Sequence, residues 1–437
     1  MEERFLETTR ELIAFLDKSP TAFQAVGEIA AMLAENGFTH LSEAEEWSLV
    51  PGGKYYVTRN QSAIIAFVIP ERYRRHFTIC ASHTDSPTFK LKANATGDGF
   101  GVYTKLNVEN YGGMIYDSWF DRPLSVAGRV IVREENRMRA VPVVVDRDLV
   151  LIPHVAIHQM RNINSGVTYN PATDLCPLFG EKDAKLTPYL AKAAGVSEEQ
   201  IVATDLYLYN RVPGTIWGDG DAFFSSARID NLQCAYATLR GFLAGADPTG
   251  ERGIAVYSSF DNEETGSETR QGAGSPFLLD TLNAICDALG VRLSTMLAAS
   301  FMVSADNGHA RHPNHPEMSD SANCPNLNGG VVIKANAAQK YATDGVSAAV
   351  FGEICRSAGV PTQVFHNRSD MPGGSTLGSI SNTKVALHTV DIGLPQLAMH
   401  SAYETAGTKD TAYLIDAMKR FYETNFRAIG DDVLEME

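Results

Sequence analysis

The sequence lacks the features that mark secreted, membrane-spanning and disulfide-stabilised proteins. Its 437 residues include six cysteines that lie far apart with no CxxC spacing, so we interpret them as reduced core residues, not as disulfides or metal ligands. No apolar run reaches the roughly 18 residues that span a bilayer. Residues 1–6 lack the basic region and apolar stretch of a signal peptide. We therefore expect a soluble, cytoplasmic protein.

An excess of positive charge is also missing. Lysine and arginine number 37 against 52 acidic residues, the formal net charge is −15, and no basic stripe interrupts this balance. Nucleic acids and anionic membranes bind proteins largely through clustered lysine and arginine. We therefore expect neither of them as a partner.

The chain is long enough for two domains, and 44% of its residues are hydrophobic, which is ample for a packed core. Apolar residues at helical spacing predict helices at 8–16 and 22–33. Short apolar runs at 63–69 and 77–80 predict strands that are buried on both faces. We expect these two strands to be neighbours in a central sheet.

The composition and the hydrophobic periodicity of the sequence change near residue 94. Between 94 and 213 turn residues and alternating apolar segments are frequent, and helical periodicity is scarce until 185–194, which predicts an inserted β-rich domain. Strands then alternate with helices again, so residues 1–93 and 214–437 predict one discontinuous α/β domain. The later predicted helices are 227–243, 276–289 and 411–426, and the later predicted strands are 253–260, 297–303, 330–334, 362–365 and 385–390.

Acidic and histidine residues follow several of the predicted strands. His83 and Asp85 follow the strand at 77–80, and other such residues follow later strands. Groups at the carboxyl ends of neighbouring strands converge on one crevice in an open α/β sheet. An acid two residues after a histidine can fix the orientation of its ring, so we predict this role for Asp85, although an HxD turn alone is weak evidence.

Residues 225–231 predict the start of a helix that is capped by a serine and has Asp230 in its first turn. An acid at that position is often only a partner of the helix dipole, so this motif alone leaves a structural and a metal-binding role open. A carboxylate can also bridge two metal ions, and a two-metal site needs such a bridge.

Two adjacent glutamates, Glu263 and Glu264, follow the strand at 253–260. Their like charges repel, which makes a purely structural role unfavourable. Beyond a strand end successive side chains can diverge, so we predict that Glu264 binds a metal while Glu263 acts as the general base. Gly266 permits the tight turn that this arrangement requires.

Asp306 is the first acid after the strand at 297–303, in a loop that also contains three histidines whose roles stay open. His400 follows a late apolar run. A single histidine there would ordinarily be a core residue, but a balanced two-metal site still lacks one imidazole. The predicted metal ligands are His83, Asp230, Glu264, Asp306 and His400.

These residues, in this order, resemble the aspartyl aminopeptidase family of co-catalytic zinc exopeptidases, which includes the yeast vacuolar aminopeptidase. The similarity extends from near residue 80 to the end of the chain. The segments that carry it are SHTDSP at 82–87, IDN at 229–231, DNEETGS at 261–267, DNGHARHPN at 306–314, VIK at 332–334 and PQLAMHS at 395–401.

The resemblance implies a three-layer α/β/α zinc-peptidase domain with a central mixed sheet, interrupted by the inserted domain, which would mediate dimerisation. It implies two divalent metal ions, expected to be zinc, although such ligand sets also accept cobalt or manganese. One ion would be held by His83, Asp230 and Asp306, and the other by Asp230, Glu264 and His400. Dimers within a tetrahedral dodecamer are expected.

The resemblance also assigns substrate contacts. His158 would reach the substrate in the site of a partner subunit, and the remaining contacts match His309, Lys334 and Tyr341. Lys334 could pair with an acidic substrate side chain, and the alternative is a solvated lysine at a strand end. Asn307-Gly308 and the Gly-Gly-Ser-Thr segment at 373–376 depart from the family pattern. Because these departures affect the side-chain pocket, a preference for N-terminal Asp or Glu stays open.

The function predicted from these residues is hydrolysis of N-terminal residues from peptides by a dinuclear metallo-aminopeptidase. A related carboxypeptidase or amidohydrolase with the same metal core is one alternative, and free-amine and N-blocked peptides would separate the two. A non-catalytic assembly or cargo-binding protein on a peptidase shell is another. The complete set of five ligands and a base argues against that last alternative, because a binding protein does not need them.

Overall fold

A mixed sheet of nine strands forms the centre of the computed structural model, which describes residues 2–430 and 433–437. Parallel and antiparallel neighbours both occur in it. In spatial order its strands are Thr39–His40, Lys54–Arg59, Ala63–Val68, Glu251–Phe260, Arg72–His83, Phe301–Ala305, His388–Gly393, Val331–Lys334 and Thr362–Phe365.

Helices cover both faces of this central sheet, because its strands are apolar on both sides. All six residues of Ala63–Val68 are buried. Ile64, together with alternate residues, packs into a core with helix Ile229–Gly245 on one face, and Ile65 packs into a core with helix Phe277–Leu289 on the other. This is the three-layer α/β/α arrangement that was expected.

The two strands predicted to be neighbours, at 63–69 and 77–80, are not adjacent, so that prediction is wrong. Glu251–Phe260 lies between them, antiparallel to Ala63–Val68 and parallel to Arg72–His83. The expectation relied on proximity in the chain, which does not determine pairing. The last eight residues of Glu251–Phe260 are all buried. A strand that is buried on both faces lies in the interior of a sheet, and Glu251–Phe260 does so.

Strands between residues 88 and 210 form a second sheet of six strands, in the order Arg137–Val144, Leu124–Glu134, Ile201–Asn210, Thr88–Gly99, Tyr103–Tyr111 and Leu178–Glu181. It has a hydrophobic core of its own. The division into 1–93, 94–213 and 214–437 stays a prediction. The strand Thr88–Gly99 crosses the predicted boundary at 94.

A third sheet of five strands lies beside the central one. Its strands, in order, are Thr215–Trp217, Phe223–Ser226, Glu404–Gly407, Pro395–Leu397 and Gly308–His309. A two-stranded hairpin near the C-terminus pairs Phe426–Gly430 with Val433–Met436.

The structure has a helix near each position where the sequence predicted one. The described helices are Glu2–Lys18, Ala22–Glu35, Thr187–Ala194, Ile229–Gly245, Phe277–Leu289, Leu293–Leu297, Gly345–Ser357, Leu377–Ser381 and Asp410–Glu423. The predicted serine cap at 225–231 is wrong. Arg228, with φ 62°, occupies the N-cap position, and its side chain forms no capping hydrogen bond. The serines do not cap the helix because they belong to strand Phe223–Ser226. Within residues 2–430 and 433–437, no helix combines the length and apolar character needed to cross a bilayer.

Candidate metal centre

Three neighbouring parallel strands of the central sheet end at one place. Glu251–Phe260, Arg72–His83 and Phe301–Ala305 lie side by side and run in the same direction. His83 is the last residue of its strand and is in register with Phe260, and Asp306 directly follows Ala305. The sheet therefore brings three of the four strand-end motifs together, as the sequence predicted.

Asp230 lies between two imidazole rings. Its Oδ1 is 3.5 Å from His83 Nε2, and its Oδ2 is 3.4 Å from His400 Nε2. The same His83 nitrogen is 3.4 Å from Asp306 Oδ1, and the same His400 nitrogen is 3.3 Å from Glu264 Oε2. Each imidazole thus faces one oxygen of Asp230 and one oxygen of a second acid.

These spacings fit two metal ions that share Asp230. Ligand atoms about 2.0–2.1 Å from a tetrahedral zinc lie about 3.3 Å from each other, which is the spacing found on both sides of Asp230. His83, Asp230 and Glu264 also place one ligand atom each within 4.8 Å of one another.

Two buried carboxylate oxygens in this group support the same interpretation. In the described part of the chain, Asp230 Oδ1 and Glu264 Oε1 are shielded from solvent and accept no hydrogen bond. A buried ionised oxygen without a partner is strongly unfavourable, whereas a cation would satisfy it. Burial and the Asp230 charge raise the pKa of Glu264 to about 7 in the metal-free protein. The donor set therefore fits a pair of divalent cations.

Asp85 connects the motifs. One of its oxygens is 3.3 Å from His83 Nδ1, and its backbone carbonyl is 3.1 Å from the same nitrogen. Its two carboxylate oxygens also accept hydrogen bonds from the backbone amides of Glu263 and Glu264, both at 3.1 Å. The contact with the His83 ring is the one expected from the sequence. The contacts with the glutamate turn were not expected.

Glu263 and Glu264 point to different partners. Glu264 contacts His400, whereas the charged neighbours of Glu263 include His83, Asp306 and Asp85. Burial and the nearby acids raise the pKa of Glu263 to about 9 in the metal-free protein. The turn that separates the two side chains has Asn262 at φ 61° and Gly266 at φ 100°. Glu263 thus lies beside the candidate ligands His83, Asp306 and Glu264.

Glu404 is a buried member of the site that the sequence reasoning missed. Its Oε1 accepts a hydrogen bond from the His400 backbone amide at 2.7 Å, and its Oε2 accepts one from the Asp230 backbone amide at 3.0 Å. Burial and the Asp230 charge raise its pKa to about 8. The only sequence signal was an acid four residues after His400, at the start of a strand.

Lys334 is buried, so the alternative of a solvated strand-end lysine is wrong. The residue is 2% exposed, and its Nζ donates a hydrogen bond to the Asn307 carbonyl at 2.7 Å. The same Nζ is 3.7 Å from Asp306 Oδ2 and 5.6 Å above the Tyr341 ring. Burial opposes the lysine charge, but Asp306 and its other neighbours outweigh this and raise the pKa of Lys334.

The other three predicted substrate contacts, Tyr341, His309 and His158, have different surroundings. Tyr341 is buried beside Lys334 and Phe365. His309 is exposed and lines a cleft with Phe365 and Gln396. His158 is exposed in an irregular segment, and in the described part of the chain it forms no hydrogen bond or ion pair with the five candidate ligands.

Comparison with known sequences gives one consistent result. Residues 15–422 match the family described as aminopeptidase I zinc metalloprotease, M18. A probable M18 family aminopeptidase 2 of Clostridium acetobutylicum is 43% identical over 95% of this chain and 99% of its own length. An aspartyl aminopeptidase of Dictyostelium discoideum is 35% identical over 96% of this chain and 97% of its own.

Comparison with solved structures agrees. A chain in a cryo-EM structure of the Ape4 and Nbr1 complex superposes with a TM-score of 0.92 at 35% identity, over 97% of this chain and 86% of that one. A chain of the S. cerevisiae mApe1 dodecamer superposes with a TM-score of 0.84 at 27% identity, over 95% of this chain and 96% of that one.

Proposed function

The chain belongs to the M18 family of zinc metalloproteases and is a metallo-aminopeptidase, and from this premise we propose how its residues act. His83, Asp230 and Asp306 would hold one metal ion, and Asp230, Glu264 and His400 would hold the other. The observation that carries this proposal is the pair of imidazoles facing the two oxygens of Asp230 at 3.5 and 3.4 Å. Zinc follows from the family, and the number of ions is part of the proposal.

The bound ions supply Lewis acidity and a water nucleophile that is activated at neutral pH. Glu263 would take a proton from the water that adds to the peptide carbonyl and would donate that proton to the amine as the peptide C–N bond breaks. Burial raises the pKa of Glu263, which helps this residue to hold a proton once it has accepted one. Nearby cations would lower the same pKa, so that Glu263 is ionised and can act first as a base. Asp85 holds the His83 ring and the backbone of Glu263, so it fixes the distance between base and ligands.

Cleavage is confined to chain ends when an acid binds the substrate's free α-amine. We propose Glu263 or Asp306 as the acid that binds this amine. Family membership supports an aminopeptidase over the carboxypeptidase, amidohydrolase and cargo-binding alternatives. The cytoplasmic location predicted from the sequence stays a prediction.

We place the preference for acidic N-terminal residues at Lys334. The relative from Dictyostelium is named for aspartyl substrates. The buried Nζ of Lys334 carries three donors, and one of them is used by the Asn307 carbonyl. A buried cation beside the metal ligands favours a carboxylate in the substrate side chain. His309 and Tyr341 complete the wall around this position.

We propose residues 94–213, which contain most of the second sheet, as a dimerisation domain. We also propose that the dimers assemble into a dodecamer, which is the assembly named for the S. cerevisiae relative. Apolar side chains lie exposed on this region, among them Phe100 at 96% and Tyr103 at 52%. Large exposed apolar groups favour association. His158, exposed on the same region, then acts in the site of a partner subunit.

One reconstitution experiment tests the function. The protein is stripped of metal, reloaded with zinc, cobalt or manganese, and assayed on Asp-, Glu- and Leu-aminoacyl substrates with N-acetylated Asp as the blocked control. We expect hydrolysis of the free-amine acidic substrates and none of the blocked one. Equal cleavage of blocked and free substrates would exclude an aminopeptidase.

A further inference from the structure

Residues 111–115 begin at the last residue of strand Tyr103–Tyr111 in the second sheet and contact three of the loops that carry candidate ligands. The Tyr111 hydroxyl donates a hydrogen bond to Asp85, two residues after His83, at 2.7 Å. A Cβ atom on Gly112 would lie 3.0 Å from the Glu264 Cβ. The Ile115 amide donates to the His400 carbonyl at 3.0 Å. We call residues 111–115 the bracing segment.

Tyr111 makes the side-chain contact in this segment. Besides donating to Asp85 Oδ2, its hydroxyl accepts a hydrogen bond from Asn262 Nδ2 at 2.8 Å. The same Asp85 oxygen accepts the Glu264 backbone amide at 3.1 Å. One phenol therefore joins the loop that holds His83 to the turn that holds Glu263 and Glu264.

We propose that Tyr111 is a positioning residue for metal binding, through which the second sheet sets the geometry of the metal centre. Its hydroxyl fixes Asp85, and Asp85 in turn fixes the His83 ring and the backbone of the glutamate turn. The substrate and the metal ions need not touch Tyr111 for this effect. The inference rests on the proposed ligand assignment and extends it to a residue outside the central sheet.

Removal of the Tyr111 hydroxyl takes one hydrogen-bond donor away from Asp85. Without the phenol, one oxygen of this buried carboxylate keeps only the Glu264 amide as a donor. Asp85 can then rotate, which frees the His83 ring and the Glu264 backbone together. Groups that orient metal ligands typically contribute about 10–100-fold to metal affinity or activity when they are removed.

The experiment compares Tyr111→Phe with Tyr207→Phe in the full-length protein. Tyr207 is a suitable control because its ring lies 5.4 Å from the Tyr111 ring, edge to face, and its hydroxyl has no hydrogen bond to Asp85 or Asn262 in the described residues. Zinc affinity is measured on the stripped proteins by competition with a chelator. The melting temperature of the metal-free form is measured in parallel.

We expect Tyr111→Phe to bind zinc about 10–100-fold more weakly, and kcat at limiting zinc to fall in parallel while KM stays within about twofold. Tyr207→Phe should match the wild type. Wild-type zinc affinity in Tyr111→Phe would overturn the inference, and so would an equal loss in both variants or a loss explained by a lower melting temperature of the metal-free form. If instead the wild type binds fewer than two ions, the ligand assignment itself is wrong.

Discussion

The backbone amide of His400 donates a 2.7 Å hydrogen bond to the Glu404 carboxylate. The other Glu404 oxygen accepts the backbone amide of Asp230 at 3.0 Å, so one buried acid spans two candidate ligands of the same metal ion. His400 has φ 67°, a left-handed backbone that is unusual for a residue with a side chain. The Glu404 hydrogen bond helps to hold that conformation.

Replacing Glu404 by Gln tests this relationship. An amide can accept only one of the two backbone hydrogen bonds, and its NH₂ group faces the other N–H. A buried N–H group that loses its acceptor costs roughly 1–3 kcal/mol, so we expect weaker zinc binding and lower thermal stability. Exposed Glu268 serves as the control position. An unchanged zinc affinity in Glu404→Gln would contradict the proposed role.

Replacing Glu263 by Gln should abolish turnover and leave metal content unchanged. The amide preserves shape and cannot take a proton, and general base catalysis contributes on the order of 10²–10⁴ in rate. Metal content is measured by elemental analysis, and rates are measured on an aspartyl substrate. Glu268→Gln is the matched control, because Glu268 lies in the same loop and is exposed. Near-normal activity in Glu263→Gln would exclude Glu263 as the base.

Replacing Lys334 by Met tests the acidic preference. The change keeps an apolar stem and removes the buried cation, so kcat/KM for Asp and Glu substrates should fall by about tenfold or more relative to a Leu substrate. The quantity measured is the ratio of kcat/KM for the acidic substrates to kcat/KM for the Leu substrate. This ratio is needed because loss of the Lys334 contact with Asp306 lowers all rates together. Lys340→Met, at an exposed lysine of the following loop, is the control. An unchanged ratio would place the acidic preference elsewhere.

The proposed role of His158 predicts complementation between subunits. His158→Ala and Glu263→Gln should each be nearly inactive alone, because one lacks the residue given to a partner and the other lacks its own base. Co-expression should restore activity to about a quarter of the sites in random dimers, since half the dimers are mixed and each has one complete site. Mixed dimers are isolated by two affinity tags. Absence of activity in them would show that His158 serves its own subunit or none.

Stability of the metal-free protein should fall as pH rises from about 5 to 9. Burial and neighbouring charges raise the pKa of Glu264 to about 7, of Glu404 to about 8 and of Glu263 to about 9. Contacts with Asp230 and Glu264 raise the pKa of His400 to about 11 against the opposing effect of burial.

For all four groups the folded state holds a proton more tightly than the unfolded state. Their contribution to the free energy of unfolding is therefore present at low pH and is lost as pH rises through the folded pKa values. Zinc replaces those protons, so the loaded protein should show a much smaller decrease. Melting temperatures measured with and without zinc across this range provide the check, and parallel curves would contradict it.

The sequence predicted the parts of the site that follow a simple rule, in which an acid or a histidine lies at the end of a buried strand or within a few residues after it. His83, Glu264 and Asp306 obey that rule, and the parallel strands bring them together. His400 follows a strand of the third sheet instead, so convergence in the central sheet could not have placed it. Its candidacy depended on the count of imidazoles and on the family resemblance.

The residues that were missed act through backbone amides or come from a distant sheet. Glu404 accepts two backbone N–H groups, and such contacts leave no pattern in side-chain spacing. Tyr111 belongs to the second sheet, and its contact with Asp85 depends on how two sheets pack. The wrong strand order has a related cause, because hydrophobic runs indicate that a strand is buried but do not specify its neighbours.

The most direct test of the account is the zinc stoichiometry of purified variants, measured by titration of the stripped protein with elemental analysis. We predict two ions per wild-type chain, one in His83→Ala, one in His400→Ala and none held tightly in Asp230→Ala. Anomalous diffraction at the zinc edge should show that the two histidine variants lose different ions. A single ion in the wild type, or loss of the same ion in both histidine variants, would contradict the account.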